Sequence, residues 1–351
     1  MLLVYGGIVL LFFLQPNTKQ SFTSQKSFSI FSFLFLFAIS ALRAKDYGDL
    51  IYYERKYNSL PLTAYSELFD SWQNDELKDF GFYAFAKFFA DLGVSAEIWM
   101  VIIGAIFCAL FAYFIYKQSF DPFISVVILL TLFYTFTFTG LRQTMAVSVI
   151  FLSYKFISEK KPIWFFVTVG IASLFHSSAM IFLPAYLIAK LKVGWKNVIA
   201  VAVSLGISLF APGFFRSLVE NLSWNESLQL YADSDATLTW SGYIIQLFIF
   251  IFCFVFRNYI DKTNEQAVGI LDNFINLITV GLCFQSFAVV IAEMFRMSYY
   301  YSICSTIAIP VLLYLQKDKK NNRILYFPVL ISFIAYMLFI QAYFEYTYFW
   351  S

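Results

Sequence analysis

The sequence predicts an all-α protein that crosses a membrane many times. Sixty per cent of its 351 residues are hydrophobic, only 13% are charged, and the mean hydropathy is +0.71. A soluble domain of this length would leave much of that apolar surface in water. Aromatic residues make up 22% of the chain, which is typical of lipid-facing helices with aromatic belts at both interfaces. The composition therefore predicts a polytopic transmembrane helical bundle, a single integral membrane domain over residues 1–351.

Apolar stretches that could cross a bilayer occur about a dozen times. A hydrocarbon core about 30 Å thick takes roughly 17 to 25 helical residues per crossing, and several stretches are shorter than that. The first stretch has no basic segment before it and no small-residue cleavage site, so it indicates a span rather than a signal peptide. We expect twelve spans, over residues 1–15, 27–42, 96–116, 121–139, 141–157, 162–176, 178–190, 197–215, 242–256, 270–292, 297–315 and 324–343.

The distribution of charge predicts the orientation of these spans. Loops on the cytoplasmic side carry an excess of Lys and Arg. If the loop at 16–26 is cytoplasmic, the cytoplasmic turns hold 15 basic and 6 acidic residues, and the opposite side holds 9 basic and 16 acidic residues. Both termini are therefore expected on the extracytoplasmic side of the membrane.

Two sizeable loops fall on the extracytoplasmic side, at residues 43–95 and 216–241. The first is rich in aromatic residues, and Phe82, Phe85 and Phe89 recur at a helical spacing. That spacing predicts a short amphipathic helix lying along the membrane surface. The size of these loops predicts that function lies on the extracytoplasmic face.

Several classes of chemistry are disfavoured by the motifs. The four cysteines lie in apolar stretches without CxxC spacing, so neither a disulfide framework nor a zinc site is indicated. No Gly-rich phosphate loop supports ATP-driven chemistry. Carboxylates are too scattered for a hard-cation site. We expect no metal, no cofactor and no nucleic-acid partner.

Three rare polar side chains are expected at the outer ends of spans: Arg142, His176 and Arg296. A charged group inside a bilayer costs about 2.5 to 3.5 kcal/mol or more and calls for a compensating partner. His176 is the only histidine in the chain. Each also has an ordinary explanation. A terminal arginine can extend to the headgroups, Glu293 can pair with Arg296, and a lone histidine can simply close a helix.

The three residues together fit transfer chemistry on a phosphate ester. Guanidinium groups stay charged and bind phosphate oxygens with two parallel hydrogen bonds, so Arg142 and Arg296 are predicted to hold a diphosphate. Such contacts strengthen as a leaving diphosphate gains charge. His176 is predicted to take a proton from an attacking sugar hydroxyl, with rival bases on the same face at Asp46, Asp49 and Asp79.

The order of these motifs resembles the EpsG/Wzy-type polysaccharide polymerases. The segments that carry the resemblance are Gly140-Leu-Arg142-Gln143, Glu159-Lys-Lys161, Phe175-His176-Ser-Ser-Ala179, Asp46-Tyr47, Tyr52-Tyr53 and Arg296-Met-Ser-Tyr299. The central block is the specific part, because polymerases of this kind diverge strongly. Lys78-Asp79-Phe80-Gly81 stands where many members have another acidic turn, so Asp79 matches only loosely.

The resemblance implies a metal-independent, glycosyltransferase-C-like membrane enzyme. It would move a growing glycan from undecaprenyl diphosphate onto a new lipid-linked repeat unit, beside membrane lipids and with a chain-length regulator and a flippase as pathway partners. Catalysis is assigned to His176, Arg142 and Arg296. Substrate binding is assigned to Asp46, Tyr47, Asp49, Asp79, Gln143, Glu293 and Tyr299.

Three other functions remain open from the sequence. A flippase for the same lipid-linked sugars would need its charged residues deep between spans, whereas here they collect at the outer ends. A membrane O-acyltransferase would need to handle an acyl donor from the cytoplasm, and no histidine lies on that face. A polysaccharide ligase shares the chemistry of a polymerase and differs in the acceptor. The product is expected to be a capsule, an exopolysaccharide or an O-antigen.

Overall fold

The computed structural model describes residues 2–14, 22–42, 49–74, 77–222, 240–316 and 319–341. In this part of the chain the secondary structure is helical and no β-strand occurs. The first ten α-helices are α1 Leu2–Leu14, α2 Phe22–Ala41, α3 Leu50–Ser59, α4 Tyr65–Gln73, α5 Phe80–Asp91, α6 Ala96–Gln118, α7 Pro122–Leu132, α8 Leu141–Ser158, α9 Pro162–Phe175 and α10 Ala185–Ile188. The others are α11 Trp195–Phe210, α12 Pro212–Leu222, α13 Ser241–Phe256, α14 Glu265–Phe287, α15 Met294–Ser302, α16 Ser305–Tyr314 and α17 Lys319–Gln341.

Helix boundaries follow local capping chemistry. Ser95 accepts a hydrogen bond from the Ile98 amide at 3.4 Å to begin α6, and Asp121 accepts one from Ile124 at 3.1 Å to begin α7. Asn264 caps α14 in the same way through the Ala267 amide at 3.1 Å. A side-chain acceptor at this position satisfies an amide that would otherwise lack a partner at the helix start.

Every predicted span overlaps at least one helix of the described residues, and several overlap it only in part. By length and composition, the helices in the described part that could cross a membrane number four: Ala96–Gln118, Ser241–Tyr259, Glu265–Phe287 and Met294–Tyr314. A fifth results if Trp195–Phe210 and Pro212–Asn221, bent by 99°, count as one span. The remaining apolar helices are shorter, so twelve crossings stay a prediction. The chain is nevertheless compatible with a multi-pass helical membrane protein.

The chain divides into two compact units, Met1–Leu183 with Asn322–Ser351, and Pro184–Asn321. In the first unit, the predicted 43–95 loop contains three short helices: α3 and α5 pack on α6, and α4 packs on α5. The buried Trp99 is the centre of this packing. Its ring lies 4.8 Å from Tyr57 and 5.4 Å from Phe82 between centroids. The loop is therefore folded where it is described, while the expected placement of a helix along the membrane stays a prediction.

The second unit contains polar side chains buried between apolar helices. The Gln246 side chain in α13 accepts hydrogen bonds from Ser302 at 2.8 Å and from Ser298 at 3.2 Å, both in α15. Asn197 in α11 donates to Asn276 in α14 at 2.9 Å. Neutral amide and hydroxyl contacts of this kind join helices in a membrane. They explain why these polar residues occur inside predicted spans.

Candidate active site

One buried carboxylate joins three segments of the first unit. Oδ2 of Asp79 accepts a hydrogen bond from Nη1 of Arg142 at 2.9 Å and lies 2.9 Å from Nδ1 of His176. Oδ1 of Asp79 accepts the backbone N–H of Ser177 at 2.8 Å. The Asp79 side chain is 1% exposed, against 28% for Arg142 and 18% for His176. The buried Asp79 carboxylate therefore holds Arg142 and His176, and both of these side chains remain partly exposed.

The local fold explains why these residues meet. Asp79 stands at the N-cap position of α5, and His176 stands where α9 ends, its amide still bonded to Ala172. The two helix ends approach closely at Gly81, where an added Cβ would lie 2.8 Å from both the Cβ and the carbonyl oxygen of Leu174. A side chain at position 81 would therefore push the start of α5 away from His176.

Asp79 adopts a backbone conformation that side chains rarely take. Its φ is 62° and its ψ is 51°, in the left-handed region, where Asp is among the few residues tolerated. An Asp at a helix N-cap usually accepts a hydrogen bond from the first turn of its own helix. Asp79 makes no such bond, because both of its oxygens face Arg142, His176 and Ser177.

The surroundings of Asp79 favour its charged form. Burial by itself raises the pKa of the carboxyl group. The hydrogen bond with His176, the charges of His176 and Arg142, and the Ser177 amide lower it by more, so the pKa lies below its ordinary value of 3.8. Asp79 is therefore a carboxylate at neutral pH and acts as an acceptor.

Arg142 lies in the first turn of α8, after Gly140. A cation is unfavourable there, because the exposed amides give the start of a helix a partial positive charge. The negative charge of the Asp79 carboxylate compensates for this unfavourable position of the Arg142 cation. One N–H of the guanidinium is used by this bond, and its Nε is buried with no hydrogen-bond partner among the residues that the structure describes. A guanidinium has five N–H donors and the Arg142 side chain is 28% exposed, so Arg142 retains donors outside the Asp79 contact for an anionic ligand.

Two tyrosines that the sequence did not single out as site residues complete the surroundings of Arg142. The Tyr53 hydroxyl lies beside the guanidinium, and Tyr83 lies within electrostatic range of it. Burial raises the pKa of both phenols, and Arg142 offsets only part of that rise. Both hydroxyls therefore stay protonated and serve as neutral hydrogen-bonding groups. Tyr53 lies on the buried face of α3 and Tyr83 near the start of α5. These positions in the aromatic 43–95 loop were the feature that could have indicated a role in the site.

The contact with Asp79 sets the proton position on His176. Because the carboxylate is an acceptor, Nδ1 of the neutral imidazole carries the proton and Nε2 carries the lone pair. A carboxylate on one ring nitrogen orients the ring and stabilises the imidazolium that forms when the other nitrogen takes a proton. The arrangement can therefore act as an oriented base next to a fixed cation.

The second unit holds three further predicted residues, Glu293, Arg296 and Tyr299. The Arg296 amide donates to the Glu293 carbonyl at 2.9 Å where α15 begins, and its guanidinium lies 5.8 Å from the centroid of the Phe295 ring. Tyr299 is buried. These residues belong to a different unit from Asp79, so a joint site with Arg142 stays a prediction.

The other predicted residues differ in their relation to this site. Gln143 is buried directly after Arg142, and Asp49 is exposed at the start of α3, one turn before Tyr53. Asp46 and Tyr47 lie outside the described residues. Of the two rival bases that the structure describes, Asp49 and Asp79, it is Asp79 that contacts His176.

No group of three or more His, Cys, Asp or Glu side chains suited to a metal ion occurs in the described ranges. The partners of Asp79 are a guanidinium, an imidazole and a backbone amide. All three are donors, which is the environment of a structural or catalytic carboxylate rather than of a cation ligand.

Long apolar helices define a multi-pass membrane protein, and its buried charged cluster is the candidate site. The model of the EpsG family matches residues 26–350, which is nearly the whole sequence. The chain belongs to the EpsG family, the family of Wzy-type polysaccharide polymerases. No curated protein and no solved structure matches it.

Proposed function

We propose that the chain polymerises undecaprenyl-diphosphate-linked oligosaccharide repeat units into a surface polysaccharide at the extracytoplasmic face of a bacterial cytoplasmic membrane. Family membership supports a polymerase-type role. The observation that supports particular residues as the catalytic groups is the contact of Asp79 with both His176 and Arg142, each at 2.9 Å. It combines an oriented base with a cation, the two groups that glycosyl transfer from a lipid diphosphate requires.

In the proposed reaction, Nε2 of His176 takes the proton of an acceptor sugar hydroxyl. The hydroxyl oxygen attacks the anomeric carbon of the donor glycan and forms the new glycosidic bond. The bond between that carbon and the diphosphate oxygen breaks, and its electron pair leaves with the lipid diphosphate. Arg142 stabilises the charge that develops on the leaving group, since contacts that strengthen in the transition state accelerate the step.

Arg296 is proposed as the second contact to the diphosphate, and Tyr299 and Glu293 as its neighbours in substrate binding. Gln143, Asp49, Asp46 and Tyr47 remain proposed contacts to the sugars or the acceptor. The role proposed for Asp79 differs from the general-base role considered in the sequence analysis. We assign it to positioning, because its oxygens hold Arg142 and His176.

The test uses the purified full-length protein with lipid-linked repeat units and reads product length. His176→Ala is expected to lower the rate by about 10²- to 10⁴-fold, the contribution of a positioned general base. His176→Gln is expected to fail as well, since an amide can hydrogen-bond but cannot act as a base at neutral pH. Ser173→Ala, at a partly buried position one turn earlier in α9, is the matched control.

The outcomes separate the functions. Near-normal polymer from His176→Ala would contradict a catalytic role for the imidazole. Recovery with Gln alone would assign His176 to holding the acceptor. Transport of intact lipid-linked units across a vesicle membrane, with no change in product length, would instead identify a flippase. A single transfer onto a different acceptor would identify a ligase.

A further inference from the structure

Three aromatic side chains form an exposed surface next to the candidate site. Phe69 and Trp72 lie one turn apart on α4, and Phe80 begins α5. Their ring centroids are 5.6 Å apart for Phe69 and Trp72, 5.7 Å for Phe69 and Phe80, and 5.8 Å for Trp72 and Phe80. Phe69 is 41% exposed, Trp72 is 42% exposed and Phe80 is half-buried. We call these three residues the aromatic platform.

The platform and the charged site are connected by two consecutive residues of the chain. Phe80 directly follows Asp79, whose carboxylate holds Arg142 and His176. The platform and the carboxylate that holds both charged groups therefore meet at consecutive residues, where α5 begins. Exposed aromatic rings grouped at the edge of a polar site are a common feature of ligand-binding surfaces.

The composition of α4 indicates which ligand this surface suits. Its charged residues are Glu67 and Asp70, and it carries no Lys or Arg. Helices that lie in a membrane surface typically have a basic polar face, which anionic headgroups attract. The exposed residues around the platform include Asp70, Gln73 and Asn74. Carboxylates accept hydrogen bonds from hydroxyl groups, and side-chain amides both accept from them and donate to them, so the surroundings fit a polyhydroxylated ligand better than a lipid surface.

A sugar ring matches both parts of this surface. The C–H groups on one face of a pyranose make it apolar enough to lie on an aromatic ring, whose face is electron-rich. Its hydroxyl groups lie around the ring edge, where acidic and amide side chains can bond them. We propose that the aromatic platform is an oligosaccharide subsite, which holds a sugar of the repeat unit beside the reacting groups. This inference rests on the proposed function, because it supplies that function with a glycan contact.

The test measures binding without catalysis. The probe is the repeat-unit oligosaccharide released by mild acid from the lipid-linked precursor, titrated into the full-length protein in nanodiscs and followed by saturation-transfer NMR. Trp72→Ala is expected to weaken binding about three- to tenfold, the range of one aromatic contact. Trp72→Phe is expected to keep most of the affinity, because it keeps a ring.

Trp72→Leu separates a sugar contact from a membrane contact. Leucine remains apolar and would preserve insertion into lipid, but it has no ring face for a sugar. We therefore expect Trp72→Leu to bind the oligosaccharide as weakly as Trp72→Ala does. Trp195→Ala is the matched control, because Trp195 is 67% exposed and lies outside the platform.

The results decide the inference independently of the proposed function. Wild-type affinity in Trp72→Leu would overturn it, because a leucine offers no ring face to a sugar. Absence of oligosaccharide binding to wild-type protein that polymerises lipid-linked units would also overturn it, and the proposed function would stand. Trp72-dependent binding to a protein that makes no polymer would support the subsite and refute the polymerase.

Discussion

At the scale of single residues, Asp79 has three features that are unfavourable for local stability. Its backbone lies in the left-handed region, its side chain leaves its own helix start uncapped, and it is buried as a charge. Arg142 adds a fourth, a cation in the first turn of α8. Buried ion pairs are weak contributors to stability, since desolvation offsets much of their attraction. Residues that depart from local preference in this way concentrate at functional sites.

Asp79 also gives the fold a pH dependence. Its pKa is lowered in the folded state, so the ionised form stabilises the protein above the ordinary pKa of 3.8. That contribution is lost as the pH falls through the lower, folded-state value. Asp79→Asn keeps the size and tolerates the same backbone conformation, yet lacks the charge. We expect it to melt below the wild type at pH 7, with the difference shrinking as the pH falls below about 4.

Scanning fluorimetry of the detergent-purified protein across pH measures this difference. Asp70→Asn, an exposed position on α4, controls for the loss of one negative charge. A constant difference between wild type and Asp79→Asn down to the lowest pH would contradict the assignment of an ionised Asp79.

At the scale of elements, the contact between α5 and α9 sets the site geometry. Gly81 provides the space, because an added Cβ would lie 2.8 Å from backbone and side-chain atoms of Leu174. Gly81→Ala is therefore expected to displace Asp79 from His176 and to lower the polymerisation rate by at least about tenfold, since misplacement by about 1 Å can cost 10²-fold. Melting temperature and product length are measured together.

Gly170→Ala is the matched control for this change. Nothing lies within 4 Å of a Cβ built at Gly170, which is in the exposed middle of α9. Alanine stabilises an exposed helix interior by up to about 1 kcal/mol relative to glycine. We expect Gly170→Ala to keep full activity and to melt no lower than the wild type. Equal activity of the two variants would refute the positioning role of Gly81.

The predicted spans and the observed helices show what the sequence reveals at this scale. Hydropathy located the ends of α6 and α13 to within about two residues, because long apolar runs report burial directly, whereas it placed α14 about five residues too late. It did not reveal the 99° bend between α11 and α12 or the interruption between α15 and α16. The residues at these breaks are as apolar as their neighbours and only the backbone direction changes. A hydropathy profile therefore does not detect the breaks.

Three residues of the candidate site could be named from the sequence, but their arrangement could not. Arg142 and His176 stood out as rare polar residues at span ends, and Asp79 was named as a rival base. The role of Asp79 as the joining carboxylate was hidden, because 63 and 97 residues separate it from its two partners. A single sequence contains no information on such long-range contacts. Tyr83 was missed for the same reason.

At the scale of the whole molecule, the charge distribution predicts which loops face outward. Ser66→Cys in the 43–95 loop should react with a membrane-impermeant maleimide in intact cells, whereas Asn322→Cys should react only after lysis. The native Cys108, Cys253 and Cys304 are buried and Cys283 is partly buried, so the wild type serves as the unlabelled control. Labelling of Asn322→Cys in intact cells would reverse the orientation and move the site to the cytoplasm.

The two units provide the last prediction, because each contributes one of the arginines assigned to the diphosphate. Arg→Lys keeps the charge and loses the paired hydrogen bonds. Charged hydrogen bonds are worth roughly 1.5 to 3 kcal/mol, so Arg142→Lys and Arg296→Lys should each slow polymerisation about 10- to 100-fold at near-normal expression. If both hold the same leaving group, their effects couple, and the double variant should lose less than the product of the two single losses. Arg55→Lys, exposed on α3, is the control. A strictly multiplicative loss would assign the arginines to separate tasks, and full-length polymer from the double variant would remove both from diphosphate binding.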